Sequence, residues 1–198
     1  MGFAANGIVA RRSKEKAAKA WRFTLDYDLL ERQLLELIGS ESNHLANASN
    51  FSALVFAEIP NLSWAGFYYP DASGDLVLGP FQGKPACARL PKGHGVCGAA
   101  FTQRRSVVVD DVQAYADHIV CDAGARSEMV VPLLADGEVR GVFDLDSASP
   151  ARFGLEDRRG IERLVIAFVR HAGLSKAPAE AYESFGDRLS REPNKADE

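Results

Sequence analysis

Near residue 62 the apolar residues stop recurring every three or four positions and begin to recur every second one. That change of period fixes the backbone each part can adopt, because a helix repeats its face every 3.6 residues and a strand every two. Before it, Leu29, Leu30, Leu34, Leu37 and Ile38 fall at helical spacing and stop at Gly39, a natural residue to follow a helix. A second helical stretch, 45–58, carries Phe51, Leu54 and Val55 on one face and ends before Pro60. After the change, segments 62–69, 76–79, 86–90, 106–109, 128–134 and 139–146 read as strands. Asp71-Ala-Ser-Gly74 and Ala135-Asp-Gly137 read as hairpin turns, which makes the strands they join antiparallel. Segment 95–104 reads as a short helix and 155–171 as a longer one. Glu156 and Asp157 stand in the longer helix's first turn, where the dipole favours acids, and Leu164, Val165, Phe168 and Val169 form its stripe. The expected fold class is α+β: a central antiparallel sheet of about six strands with helices packed on it.

The chain has 198 residues, enough for one domain with a substantial core. That domain is expected over residues 26–173, after a basic, loosely ordered extension at 1–25 and before a polar tail at 174–198. The extension holds Arg11, Arg12, Lys14, Lys16, Lys19 and Arg22 against one acid, Glu15. It faintly resembles an organelle transit peptide, but it lacks a secretory apolar core, and Asn6 stands where a myristoylation signal wants Ser or Thr. Over the whole chain 23 Lys and Arg face 27 Asp and Glu, a net charge of −4. Without clustered cations no nucleic-acid partner is expected. The longest apolar runs, such as 129–135, fall far below the ~20 residues that span a bilayer, so no membrane segment is expected. Three cysteines are too few for a secreted disulfide scaffold, and the expected setting is the reducing cytoplasm.

Those cysteines fall on three elements: Cys87 at a strand end, Cys97 at a helix start, and Cys121 in the long connection 110–127. A connection of that length in a compact domain is usually functional or disordered. Burial as a small hydrophobe suits Cys97, beside Val96, Ala99 and Ala100. It suits Cys121 less, flanked as it is by His118, Asp122 and Arg126. His94-x-x-Cys97 and His118-x-x-Cys121 have the spacing of zinc ligands, but no Cys-x-x-Cys nucleus is present and no metal is expected. A Gly-x-Ser-x-Gly nucleophile elbow is also missing. Alternation along 139–146 sets Gly141, Phe143 and Leu145 on one face and Asp144 and Asp146 on the other. At a rise of ~3.3 Å per residue the two acids stand roughly 6.5–7 Å apart. Glu128, opening the preceding strand of that hairpin, can join them. Alternating acids are usually a solvated face, yet here they sit in a very apolar strand. In a pocket they would receive an ammonium group, and crowding would raise at least one carboxyl pKa. Trp64, Gly66 and Tyr68 share another strand face, with Gly66 leaving a gap suited to a methyl group.

Six segments together resemble free methionine-(R)-sulfoxide reductase, a GAF-domain enzyme family. They are Trp64-Ala-Gly-Phe-Tyr68, Leu78-Gly-Pro-Phe-Gln-Gly-Lys84 running to Cys87, Gly93-His-Gly-Val-Cys-Gly98, His118-Ile-Val-Cys-Asp122, Ser127-Glu-Met-Val-Val-Pro132 and Gly141-Val-Phe-Asp-Leu-Asp-Ser147. The resemblance implies a GAF-like fold, Cys121 as attacking thiol, Cys87 as main resolving thiol and Cys97 as an alternative partner. It further implies that Trp64 and Tyr68 box the thioether end, that Asp144 and Asp146 hold the ammonium, and that Glu128 stabilises or protonates the sulfoxide oxygen. It implies no bound cofactor, recycling by an external thioredoxin and NADPH system, and a homodimer. His118, Arg126 or bound substrate would help ionise Cys121, since an unperturbed thiol is mostly protonated at neutral pH. This sequence departs from the family pattern at Asp117, where a Gly is usual, and at Gly124-Ala-Arg126. The rival reading is a GAF sensor that binds a cyclic nucleotide or similar ligand without turnover.

Overall fold

The computed structural model of the chain describes residues 25–172 and residue 174. The expected extension at 1–25 and tail at 174–198 therefore lie outside the described residues, apart from Leu25 and Leu174. Helix α1, Tyr27–Ile38, begins where the Asp26 carboxylate accepts the N–H groups of Asp28 and Leu29, both at 3.0 Å. That cap satisfies two of the donors that a helix start leaves unpaired. Its buried stripe is Tyr27, Leu30, Leu34 and Ile38, each four or three residues on from the last. Leu29 and Leu37, counted with that stripe from their spacing, lie instead on the outer face, each 46% exposed. Gly39 keeps right-handed helical dihedrals and bonds to the Leu35 carbonyl, so the helix ends without a left-handed glycine. Helix α2, His44–Glu58, is capped by Asn43, whose side chain accepts the Ala46 N–H at 3.0 Å.

Six strands follow: β1 Trp64–Pro70, β2 Leu76–Gly83, β3 Arg89–Leu90, β4 Val107–Val109, β5 Ser127–Ala135 and β6 Glu138–Ser147. They form one sheet in the order β3-β2-β1-β6-β5-β4, with every neighbouring pair antiparallel. Helix α3, Gly95–Gln103, precedes β4, and helix α4, Leu155–His171, follows β6. The α+β expectation holds, with two strand ends redrawn. β2 runs on to Gly83, because Gly66 opposite Phe81 lacks the Cβ that would meet Phe81 Cβ at 2.4 Å. β3 shrinks to two residues, which leaves Ala86 and Cys87 outside the ladder. Within 110–127 a single 3-10 turn, Val112–Ala114, forms where Asp111 accepts the Gln113 N–H at 3.1 Å.

Strand alternation splits the buried residues between the two faces of the sheet. Ala65, Phe67, Met129, Val131, Phe143 and Leu145 face α1, α2 and α4, where Phe51, Phe67, Phe143 and Phe168 pack with ring centroids 4.6–5.4 Å apart. Burying such rings contributes roughly 1.5–3 kcal/mol each, so this face is the main source of stability. Trp64, Tyr68, Val130 and Val142 face α3 and the long connection. Buried polar residues tie α4 in place: Glu162 accepts from Ser106 Oγ at 2.6 Å and from Arg158 Nε at 2.9 Å. No helix among the described residues is long and apolar enough to cross a membrane.

Gly160 is where α4 meets α1. A Cβ there would lie 2.2–2.4 Å from the Tyr27 ring, whose hydroxyl donates to Asp157 at 2.9 Å and so cannot swing away freely. Alanine normally stabilises a helix interior relative to glycine. Here Gly160→Ala is expected to destabilise the fold by about 1–3 kcal/mol through overpacking, read as a lowered midpoint in urea denaturation. An unchanged or raised midpoint would show that the helices are not packed this closely.

Candidate active site

The second face of the sheet carries the acids. Strand pairing sets Glu128 of β5 directly opposite Asp146 of β6, and Val130 opposite Asp144. On the other side of β6, Trp64 pairs with Asp146 and Gly66 with Asp144. Side chains of directly paired residues point to the same face, so Glu128, Asp144, Asp146, Trp64 and Tyr68 converge on one cleft. Its roof is the start of α3 with Cys97 and the connection with His118, Ile119 and Cys121.

Cys121 is in a disulfide with Cys87, Cα to Cα 5.2 Å, which fastens the connection to the segment between β2 and β3. Other contacts hold the same lid. The Tyr68 hydroxyl donates to the Cys87 carbonyl at 3.1 Å, and Lys84 Nζ lies 3.3 Å from Asp122. Asp117, the departure from the family pattern, accepts the Gly95 N–H at 3.0 Å and faces His94 Nδ1 at 3.2 Å. Gly95 itself has φ +71°, and a side chain there would also press on Ile119.

Glu128, Asp144 and Asp146 meet here, with Asp122 of the connection also lining the cleft, and among the described residues no lysine or arginine lines it. Burial first, then the charges of Asp144 and Asp146, push the Glu128 carboxyl well above its ordinary range. Burial and then Asp146 push Asp144 up, while hydrogen bonds from Cys97, the Leu145 N–H and Glu128 pull it back down. Asp146 rises to about 7, from burial and then from Asp122. Cys97, 3% exposed, is driven well above the ordinary thiol range by burial and then by Asp144. Burial also raises Tyr68 and lowers His118. Two buried polar atoms of the cleft residues have no partner among the described residues: Asp144 Oδ1 and Trp64 Nε1. An acceptor and a donor left open in one cleft point to a ligand that carries both functions.

The eight candidate residues thus come together: Trp64, Tyr68, Cys97, Cys121, Glu128, Asp144 and Asp146 line the cleft, and Cys87 closes it through the disulfide. Three expectations change. Arg126 pairs with Asp111 at 3.2 Å and does not line the cleft. The space beside Gly66 is taken by Phe81 and the edge of Trp64, and Phe81 stacks on Trp64 at 5.4 Å, so no methyl-sized gap remains there. Burial lowers the His118 pKa, which disfavours the imidazolium as a partner for a Cys121 thiolate. The two His/Cys pairs do not assemble either. Among the described residues the grouping with ligand-like spacing is Cys97, Glu128 and Asp144. The role of Asp117 as a bridge from the lid to α3 has no signal in the sequence, because its partner is a backbone N–H 22 residues away.

A GAF domain family model matches residues 31–165. Free methionine-R-sulfoxide reductase of Escherichia coli is 42% identical over 139 residues, covering 70% of this chain and 84% of its own. The reduced form of fRMsr from Staphylococcus aureus superposes with a TM-score of 0.73 at 40% identity, covering 76% of this chain and 97% of that one. Free methionine-R-sulfoxide reductase from Neisseria meningitidis, solved in complex with its substrate, gives a TM-score of 0.71 at 35% identity, covering 87% and 94%.

The raised carboxyl pKa values set a pH dependence of stability. Asp146, at about 7 when folded, binds its proton more tightly than an unfolded aspartate with a pKa near 3.9. Its contribution is therefore complete below about pH 4 and is lost as pH rises through about 7; Glu128 and Asp144 act in the same direction. Without ligand, the denaturation midpoint is expected to fall from about pH 5 to about pH 8. Asp146→Asn should flatten part of that fall and be the more stable protein at the upper end. Identical slopes for the two proteins would show that Asp146 titrates as an ordinary aspartate.

Proposed function

The chain belongs to the GAF domain family and, within it, to the free methionine-R-sulfoxide reductases. From that membership we propose that it is an oxidoreductase converting free methionine-(R)-sulfoxide to methionine, by the following division of labour. The Cys121 thiolate attacks the sulfoxide sulfur while a carboxylic acid of the cleft, assigned to Glu128, protonates the oxygen. The oxygen passes to Cys121 as a sulfenic acid and methionine leaves. The Cys87 thiol then attacks the Cys121 sulfur, the sulfenic hydroxyl leaves as water and the disulfide forms, and an external dithiol reduces that disulfide by exchange. Two thiols supply both electrons, so the chemistry asks for no bound cofactor.

The observation that carries this reading is the Cys87–Cys121 disulfide lying over a cleft floored by three acids, Glu128 and Asp144 buried and Asp146 half-buried. Asp144 and Asp146 are assigned to the substrate ammonium, which supplies the cation the cleft lacks. Trp64 and Tyr68, stacked with centroids 5.8 Å apart, are assigned to the thioether end. Thioredoxin with NADPH is the assigned reducing system, the cytoplasm the assigned setting, and a homodimer the assigned assembly; the family resemblance supports all three. A sensor without turnover would have no use for a disulfide between the lid and the β2–β3 segment.

Incubation with free methionine sulfoxide and dithiothreitol should release methionine. Cys121→Ser should abolish release, because no sulfenic acid can form. Cys87→Ser should release one equivalent of methionine per protein and lose most thioredoxin-driven turnover. Full activity of Cys121→Ser would overturn the mechanism, and no methionine from the unaltered protein would favour the sensor.

A further inference from the structure

We propose that Cys97, Glu128 and Asp144 form a site for a soft divalent cation of the zinc type, which occupies the cleft in place of the substrate's ammonium. The site itself rests on geometry, and only the exclusion of substrate rests on the reductase reading.

The Cys97 Sγ and one carboxylate oxygen each of Glu128 and Asp144 all lie within 4.8 Å of one another. They come from three elements, α3, β5 and β6, and the side chains are 3%, 7% and 6% exposed. Around one tetrahedral zinc, with Zn–S about 2.3 Å and Zn–O about 2.1 Å, ligand atoms stand roughly 3.4–3.6 Å apart. Drawing the three atoms together by about 1 Å completes three corners of that tetrahedron. A second observation points to a ligand. Asp144 lines the cleft, and its buried Oδ1 has no hydrogen-bond partner among the described residues. A buried acceptor of that kind calls for a donor or a cation, and no lysine or arginine among the described residues lines the cleft to supply one.

The donor set selects the ion. One thiolate with two carboxylates suits zinc or cobalt, whereas magnesium and calcium take oxygen ligands and gain nothing from the sulfur. Cys97 stands in the first turn of α3, where the helix dipole favours a thiolate. Coordination exchanges the thiol proton, and any proton the two carboxyls hold, for the ion; the protons go to solvent and no electrons move. Three protein ligands leave a fourth position for water or for Asp146, which lines the same cleft. Since Asp144 is assigned to the substrate's ammonium and Glu128 to its oxygen, each occupant excludes the other, and free zinc acts as a competitive inhibitor.

The oxidised protein offers a direct test, because two of the three cysteines are tied in the disulfide and Cys97 is the one free thiol. Added Co2+ should give a thiolate-to-cobalt charge-transfer band in the near ultraviolet that saturates at one equivalent. Zn2+ should remove the band by displacement, and excess Mg2+ should leave it intact. Cys97→Ser should lose the band. By calorimetry, Cys97→Ser and Asp144→Asn should each bind Zn2+ at least about a hundredfold more weakly, since even a residue that only orients a ligand is worth roughly 10–100-fold. Circular dichroism checks that both variants fold. No band in the unaltered protein would overturn the site, as would Zn2+ binding equally well to both folded variants, or displacement of cobalt by Mg2+, which would make the attraction one of charge alone. For the exclusion, a Cys87→Ser, Cys121→Ser protein keeps Cys97 as its only thiol and cannot turn over. Free methionine sulfoxide should bleach its cobalt band, and the N-acetyl form should not. A band that survives saturating free methionine sulfoxide would overturn the exclusion and the ammonium assignment together, while the band in the oxidised protein still decides the metal site.

Discussion

Antiparallel pairing of β5 with β6 puts Glu128 against Asp146, with Asp144 two residues along the same face. Like charges opposite one another destabilise a sheet, and burial makes the placement worse. The chain nonetheless builds its cleft around these three. The cost is bearable because the opposite face of the same strands is packed with aromatic and branched residues, Phe67, Phe143, Val131 and Leu145 among them, against three helices. One face of the sheet supplies stability and the other carries the acid cluster at its expense.

The lid answers a second requirement. A thiol that must attack a small substrate and then reach another thiol needs a flexible tether with fixed ends. Residues 115–126 are held at one end by Asp117 on the Gly95 N–H and near the other by Arg126 on Asp111, with Lys84 and Asp122 beside the disulfide. Only the disulfide changes covalently in the proposed cycle. The surrounding ion pairs are exposed and individually weak, which suits a segment that must admit substrate when Cys87 and Cys121 are reduced.

Much of this was legible in the sequence because strand periodicity is two. Once 139–146 was read as a strand, Asp144 and Asp146 had to share a face away from Phe143 and Leu145, and hairpin pairing brought Glu128 alongside. What depends on exact register was not legible. The overrun of β2 past Gly79 and the filling of the space at Gly66 both follow from Phe81 crossing against a residue without a Cβ. Helical spacing likewise marked Leu29 and Leu37 as core, since a pattern of threes and fours cannot by itself say where a stripe ends. Nearness along the chain makes Arg126 one of several candidates to help Cys121, whereas in the fold its guanidinium pairs with Asp111.

In the proposed cycle the substrate's ammonium takes the place of protons on the acid cluster. Calorimetric titration of Cys121→Ser protein near neutral pH, in two buffers of different ionisation enthalpy, measures that exchange directly. Free methionine sulfoxide should bind with release of protons. Its N-acetyl form, with no ammonium, should bind over a hundredfold more weakly, the equivalent of about 3 kcal/mol or more for a buried charge left unpaired. Equal affinities for the two compounds, with no proton release on binding the free one, would contradict the account.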